Sequence, residues 1–265
     1  MSPVAVPPCP AVLLAADYLE KTCERFVATR ADAPHKYHPI LDTAITHFAY
    51  VAIRNAEGIV ALARTDLVLY PAASTLARSV FEIAVRVVWL TQPIVLQDRL
   101  SRYLGLLAEQ ISAQERLLAR ASHIPEALPD IQDELASLRE WRDQLVNECA
   151  APRSSVPHFE ALLNAINRPD LYGLYIVLSQ FSHGGHAAAD IFSRERADGS
   201  VGDVVRLRDW FYPLAFSAFA LEDACRHTIR LFGGSQSHFL PKDFRDAARA
   251  AYAALDSSTP ITSGV

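Results

Sequence analysis

Nearly every proline in this chain falls between runs of helix-spaced apolar residues rather than inside them. That placement constrains the fold more than any other feature. Apolar residues recur every three or four positions along most of the length. A proline ends or opens a helix because it lacks an N–H and clashes with the preceding turn. Together these signals predict helices near 11–30, 39–65, 71–91, 96–121, 129–148, 156–167, 170–190, 207–232 and 241–255. Pro34 and Pro39 separate the first two, and Tyr70-Pro71 opens the third with proline in its first turn. Gln92-Pro93 ends the third, and Gly233-Gly234-Ser235 ends the eighth. Asp198-Gly199 marks a hairpin turn within 191–207. The expected architecture is a single-domain, all-α bundle of about nine helices over 11–255, with one small hairpin. A proline-rich segment at 1–10 precedes it and a flexible tail at 256–265 follows.

Composition narrows the function classes. A hydrophobic share of 51% excludes a disordered chain. Lys and Arg total 25 against 30 Asp and Glu, a net charge of −5, so a basic face for nucleic acid is not expected. Cys9, Cys23, Cys149 and Cys225 lie far apart with no Cys-x-x-Cys, which fits neither a disulfide scaffold nor a zinc knuckle. The N-terminus has no Lys or Arg before its prolines, unlike a signal peptide. The longest uncharged apolar run, Trp210 to Leu221, is 12 residues and contains Pro213, too short for a membrane span. The expectation is a cytoplasmic protein with free thiols and no membrane partner. Helices 96–121 and 129–148 are heavily charged. That pattern reads as a solvated face or as a helical hairpin forming the contact of a homodimer.

Three other helices are too apolar to lie on a surface, yet each carries one polar stripe. In 71–91, Arg78, Glu82 and Arg86 follow at spacing four among Val80, Phe81, Ile83, Val85, Val87 and Val88. In 39–65, His47, Tyr50, Arg54 and Glu57 share a stripe. In 170–190, Tyr172, Tyr175, Ser179, His183, His186 and Asp190 advance by three or four. Gly184 and Gly185 interrupt this last helix, either as an ordinary stop or to admit a close backbone or ligand. Charges within apolar helices need partners from other helices, from water or from a ligand. Three such stripes predict a shared polar pocket inside the bundle. Its arginines, Arg54, Arg78 and Arg86, suit a small anionic ligand, with Glu57, Tyr175, Ser179 and His186 also lining it. Glu82 and His183 are the expected catalytic pair, one orienting or accepting and the other moving a proton near neutral pH. The cofactor is left unknown.

At Arg78-Ser79-Val80-Phe81-Glu82 and Leu178-Ser179-Gln180-Phe181-Ser182-His183 the chain resembles the helical bacterial proteins of domain-of-unknown-function family 5677. Those carry an Arg-Ser-x-x-Glu helix and, about a hundred residues later, a Tyr-x-x-Leu-Ser-x-x-x-His helix. Tyr175, Leu178, Ser179 and His183 fit the second pattern. The resemblance spans about residues 40–190 and implies candidate positions, not a mechanism. No role passes to His186 from it.

Two other function classes compete. A ribonuclease or toxin similar to the HEPN domains would use an Arg followed by His after four to six residues. Arg30/His35, Arg116/His123 and Arg153/His158 match, against about two matches expected by chance. A helical metal-dependent oxidase could use the pairs His186/Asp190 and Asp223/His227 with Glu57, Glu82 and His47, but no Glu-x-x-His occurs. There is no P-loop, dinucleotide fingerprint or Gly-x-Ser-x-Gly elbow. Ser179 and His183 sit four apart, a spacing that also permits a local serine–histidine pair.

Overall fold

The computed structural model describes residues 5–32, 38–121, 125–148, 153–185, 189–190, 194–195, 201–202, 204–235, 239–256 and 261. Among these the chain forms nine helices. They are α1 (Pro10–Ala31), α2 (Pro39–Thr65), α3 (Tyr70–Thr91), α4 (Leu96–Arg120), α5 (Leu128–Glu148), α6 (Phe159–Ala165), α7 (Tyr172–Ser182), α8 (Leu207–Leu231) and α9 (Lys242–Ala253). The architecture is all-α. Its one β element is a two-residue antiparallel ladder, with Arg194 opposite Gly202 and Glu195 opposite Val201. The hairpin is where the turn signal places it, although Asp198 and Gly199 lie outside the described residues.

Prolines set the helix starts as expected, at or next to the first position of α1, α2 and α3. The cap of α2 is unusual. His38 Nδ1 accepts the Leu41 N–H at 3.4 Å, while its Nε2 meets Glu148 at the far end of α5. That bond from His38 holds the Glu148 carboxyl below its ordinary range. Pro213 falls inside α8, where it has no N–H to give. There the helix widens into a π turn over Tyr212–Phe216, which relieves the ring's clash with the preceding carbonyl.

α3 is the central rod. It packs along α2 and α8 and beneath α7 and α6, and it buries Val80, Phe81, Val85, Val87, Val88, Trp89 and Leu90. This is what its nearly all-round apolar surface demands. α1 closes the layer against α2 and α8. α5 packs chiefly on α4 and buries only Ile131, Leu135, Leu138 and Leu145, so its charged residues face water. The segment before α1 is docked. Val6 is buried, its N–H donates to Asp66 Oδ1 at 2.8 Å, and its carbonyl accepts from Leu67 N–H at 2.8 Å. Within the expected tail, Ile261 N–H donates to Val205 O at 2.9 Å. No described helix is long and apolar enough to cross a membrane.

Arg194 ties the hairpin to the start of α8. Its guanidinium donates to both oxygens of Asp209, at 2.5 and 3.1 Å, and to Val204 O at 2.9 Å. Each of the two side chains is 12% exposed. Burial works against the Arg194 charge, but the Asp209 bond outweighs it and raises the pKa.

Candidate functional site on the flank of α3 and α7

Residues four apart on a helix advance by about 40° around the axis. Arg78 and Glu82 therefore nearly share a line, and Arg78 Nε donates to Glu82 Oε1 at 2.8 Å. From α7, Tyr175 Oη accepts from Arg78 Nη2 at 3.3 Å, and His183 Nε2 lies 3.0 Å from Arg78 Nη1. Guanidinium has no acceptor, so His183 Nε2 must take the bond with its lone pair. The ring in this arrangement is neutral and carries its proton on Nδ1. Burial alone would lower the Arg78 pKa, but the hydrogen bond and charge of Glu82, then Tyr175, hold it above its ordinary value.

An aromatic ladder fixes Tyr175. Its ring lies 4.2 Å from Phe159 and 6.0 Å from Tyr172, and Phe159 meets Phe81 edge-on at 5.6 Å. The Arg78 guanidinium also sits over the Tyr175 ring, 5.3 Å from its centre. His183 is placed by the end of the helix. α7 stops at Ser182, short of the expected 190, with His183 as its C-cap. Gly184 has a φ of +63°, and Gly185 N–H donates to Gln180 O at 2.7 Å. This is the glycine stop, which satisfies the last free carbonyls of the helix. A side chain at Gly185 would come within 2.3 Å of Gln180 Oε1.

The remaining expected residues divide. The Ser179 hydroxyl donates to the Tyr175 carbonyl at 2.7 Å, so its proton goes to the backbone and not to His183. Arg54 and Glu57 do not join the cluster. They pair with each other at 2.6 Å, with side chains 78% and 42% exposed. Glu57 faces α1, where its charge adds to burial in raising the Cys23 pKa to about 12. Arg86 has turned about 80° from Arg78 after eight residues and lines a different groove, against α4. His186 lies outside the described residues. The cluster opens onto solvent instead of into an enclosed cavity: Arg78 and Glu82 side chains are 18% and 31% exposed and His183 is exposed. Withdrawing an ion pair fully from water is costly, and a flank position avoids that.

Two cavities lie beyond what the stripes indicated. One, of about 290 Å³, has Phe81, Val85, Leu174 and Phe216 in its apolar wall, with Glu222 and Arg226 joined at its rim. The π turn carries Phe216 there, and the interior Pro213 was the sequence signal for it. The other, of about 680 Å³, is lined by Arg86, Arg116 and Arg153. Among the described residues, no three His, Cys, Asp or Glu side chains gather into a metal-ion cluster, and His227 and Asp223 stand 3.9 Å apart as a pair.

None of the curated proteins and none of the solved structures matches the chain. One family model does, over residues 42–200, which takes in α2 through α7 and all four members of the cluster. The chain belongs to this family, the family of unknown function DUF5677.

Proposed function

We propose that this protein binds, and turns over, a small anionic molecule at the flank of α3 and α7. The observation that carries the reading is the anchoring of one guanidinium. Three nitrogens of Arg78 reach three side chains on two helices, so its orientation is set before any ligand arrives. Arginine has five N–H groups and three are engaged, which leaves two for a carboxylate or phosphate. The Nδ1–H of His183 is the proton donor in this scheme, and Glu82 orients Arg78. The protein works in the cytoplasm as a homodimer. The supporting feature is the α4–α5 pair, which exposes Leu117, Trp141 and Val146 among its charges. A Trp141→Glu variant that sediments as a monomer supports that contact.

Thermal-shift titration with oxalate, succinate and inorganic phosphate tests the site. At least one should raise the melting temperature of the wild type and leave that of Arg78→Ala unmoved, with Arg78→Lys intermediate. A shift of equal size in Arg78→Ala removes the residue from the site. The ribonuclease-like and oxidase readings rest on spacings alone, and no observation raises either above the anion site.

A further inference from the structure

We propose that the groove between the C-terminal half of α3, α4 and the strap Arg153–Val156 is a second site, built for a phosphate chain. Arg86, Arg116 and Arg153 reach it from three separate parts of the fold. None of the three makes a hydrogen bond or an ion pair among the described residues, whereas Arg78, Arg139 and Arg194 each have a carboxylate partner. One carboxylate, Glu109, lines the groove, so the local balance is positive on a chain whose net charge is −5. Three like charges brought together repel one another, and an anion between them removes that cost.

The strap that carries Arg153 is held in place. Ser154 N–H donates to Ser101 O at 3.1 Å, and the two serine hydroxyls lie 2.8 Å apart. The contact is close because α4 has glycine beneath it. A Cβ at position 105 would sit 2.3 Å from the Ser154 carbonyl oxygen. Gly105 thus lets the strap lie on the helix, and the strap holds Arg153 across from Arg86 and Arg116. A volume of about 680 Å³ suits a ligand of nucleotide size. Leu106 and Val156 add apolar surface, and Ser112 and Ser155 add hydroxyls. Three separate guanidiniums match charge spread along several phosphoryl groups better than a single one.

The test is calorimetric titration of the full chain with inorganic phosphate, pyrophosphate, tripolyphosphate and a nucleoside triphosphate. Affinity should rise with the number of phosphoryl groups and fall between about 50 and about 300 mM salt. Arg86→Ala and Arg153→Ala should each weaken tripolyphosphate binding about tenfold, while Arg142→Ala on α5 should not. Equal affinity for tripolyphosphate and the nucleotide identifies the phosphate chain alone as the ligand. Tighter nucleotide binding brings the apolar wall into use. No binding of any probe overturns the proposal. Binding that Arg78→Ala abolishes while Arg86→Ala and Arg153→Ala leave intact also overturns it, and moves the anion to the α3–α7 flank.

Discussion

Arg78 and Arg86 lie two turns apart on one helix and are held in opposite ways. Arg78 is bonded to Glu82, Tyr175 and His183. Arg86, on the same element and half-buried like it, meets two further arginines and no ion-pair partner. A guanidinium already bonded on three nitrogens contributes to stability and keeps a fixed aim. One left without partners contributes little to folding and is free to meet a ligand. Helical spacing alone does not separate the two, since both stand at intervals of four.

The comparison predicts a graded series. Arg194 is the extreme of the satisfied kind, and Asp209→Ala would strand it with both side chains nearly withdrawn from water. That change should cost about 3 kcal/mol and lower the melting temperature by roughly 10 °C. A loss no greater than that of a surface variant would mean that the hairpin does not depend on the pair. Arg78→Ala comes next, at about 1–2 kcal/mol in urea unfolding, because it removes three hydrogen bonds at a partly exposed site.

A histidine gives a third way to hold a cationic group, by keeping it neutral. Burial lowers the His227 pKa below its ordinary 6.5, against the pull of Asp223 and with help from Arg230 and Arg226. The folded chain then takes up this proton less readily than the unfolded one. Stability from His227 is complete above about pH 6.5 and is lost as pH falls from there through the folded value. Thermal unfolding from about pH 7 to about pH 5 should fall less steeply for His227→Gln than for the wild type. The smallest effect belongs to Arg86→Ala, within about 0.5 kcal/mol of wild type. A loss as large as that of Arg78→Ala would erase the contrast between the two arginines.

How much of this was legible in the sequence depended on the range of the signal. Helix starts were, because Pro10, Pro39 and Pro71 act on their own turn. So was the burial of α3, since an apolar surface on nearly all sides has no other place. The meeting of Arg78 with His183 was legible as a shared polar character. The grouping of Arg54 and Glu57 with them was not, because a stripe gives a face of its own helix but not the neighbour which that face meets. Glu57 turns out to look toward α1. The Arg86 groove depends on a strap more than forty residues beyond α4's Gly105 settling on that glycine, and no local pattern announces such an approach. Gly184 and Gly185 allowed two readings, and the positive φ at Gly184 decides for the stop.

The π turn in α8 has a consequence for how this chain can change. It holds one residue more than a regular helix would use over the same span. Deleting a single residue there would rewind the rod and swing everything beyond it by about 100°. Cys225, Thr228 and Ile229, now sealed inside, would rotate toward water. Ancestry can therefore lengthen or trim the loops of this protein freely, but the stretch around Pro213 tolerates replacement of residues far better than loss of one.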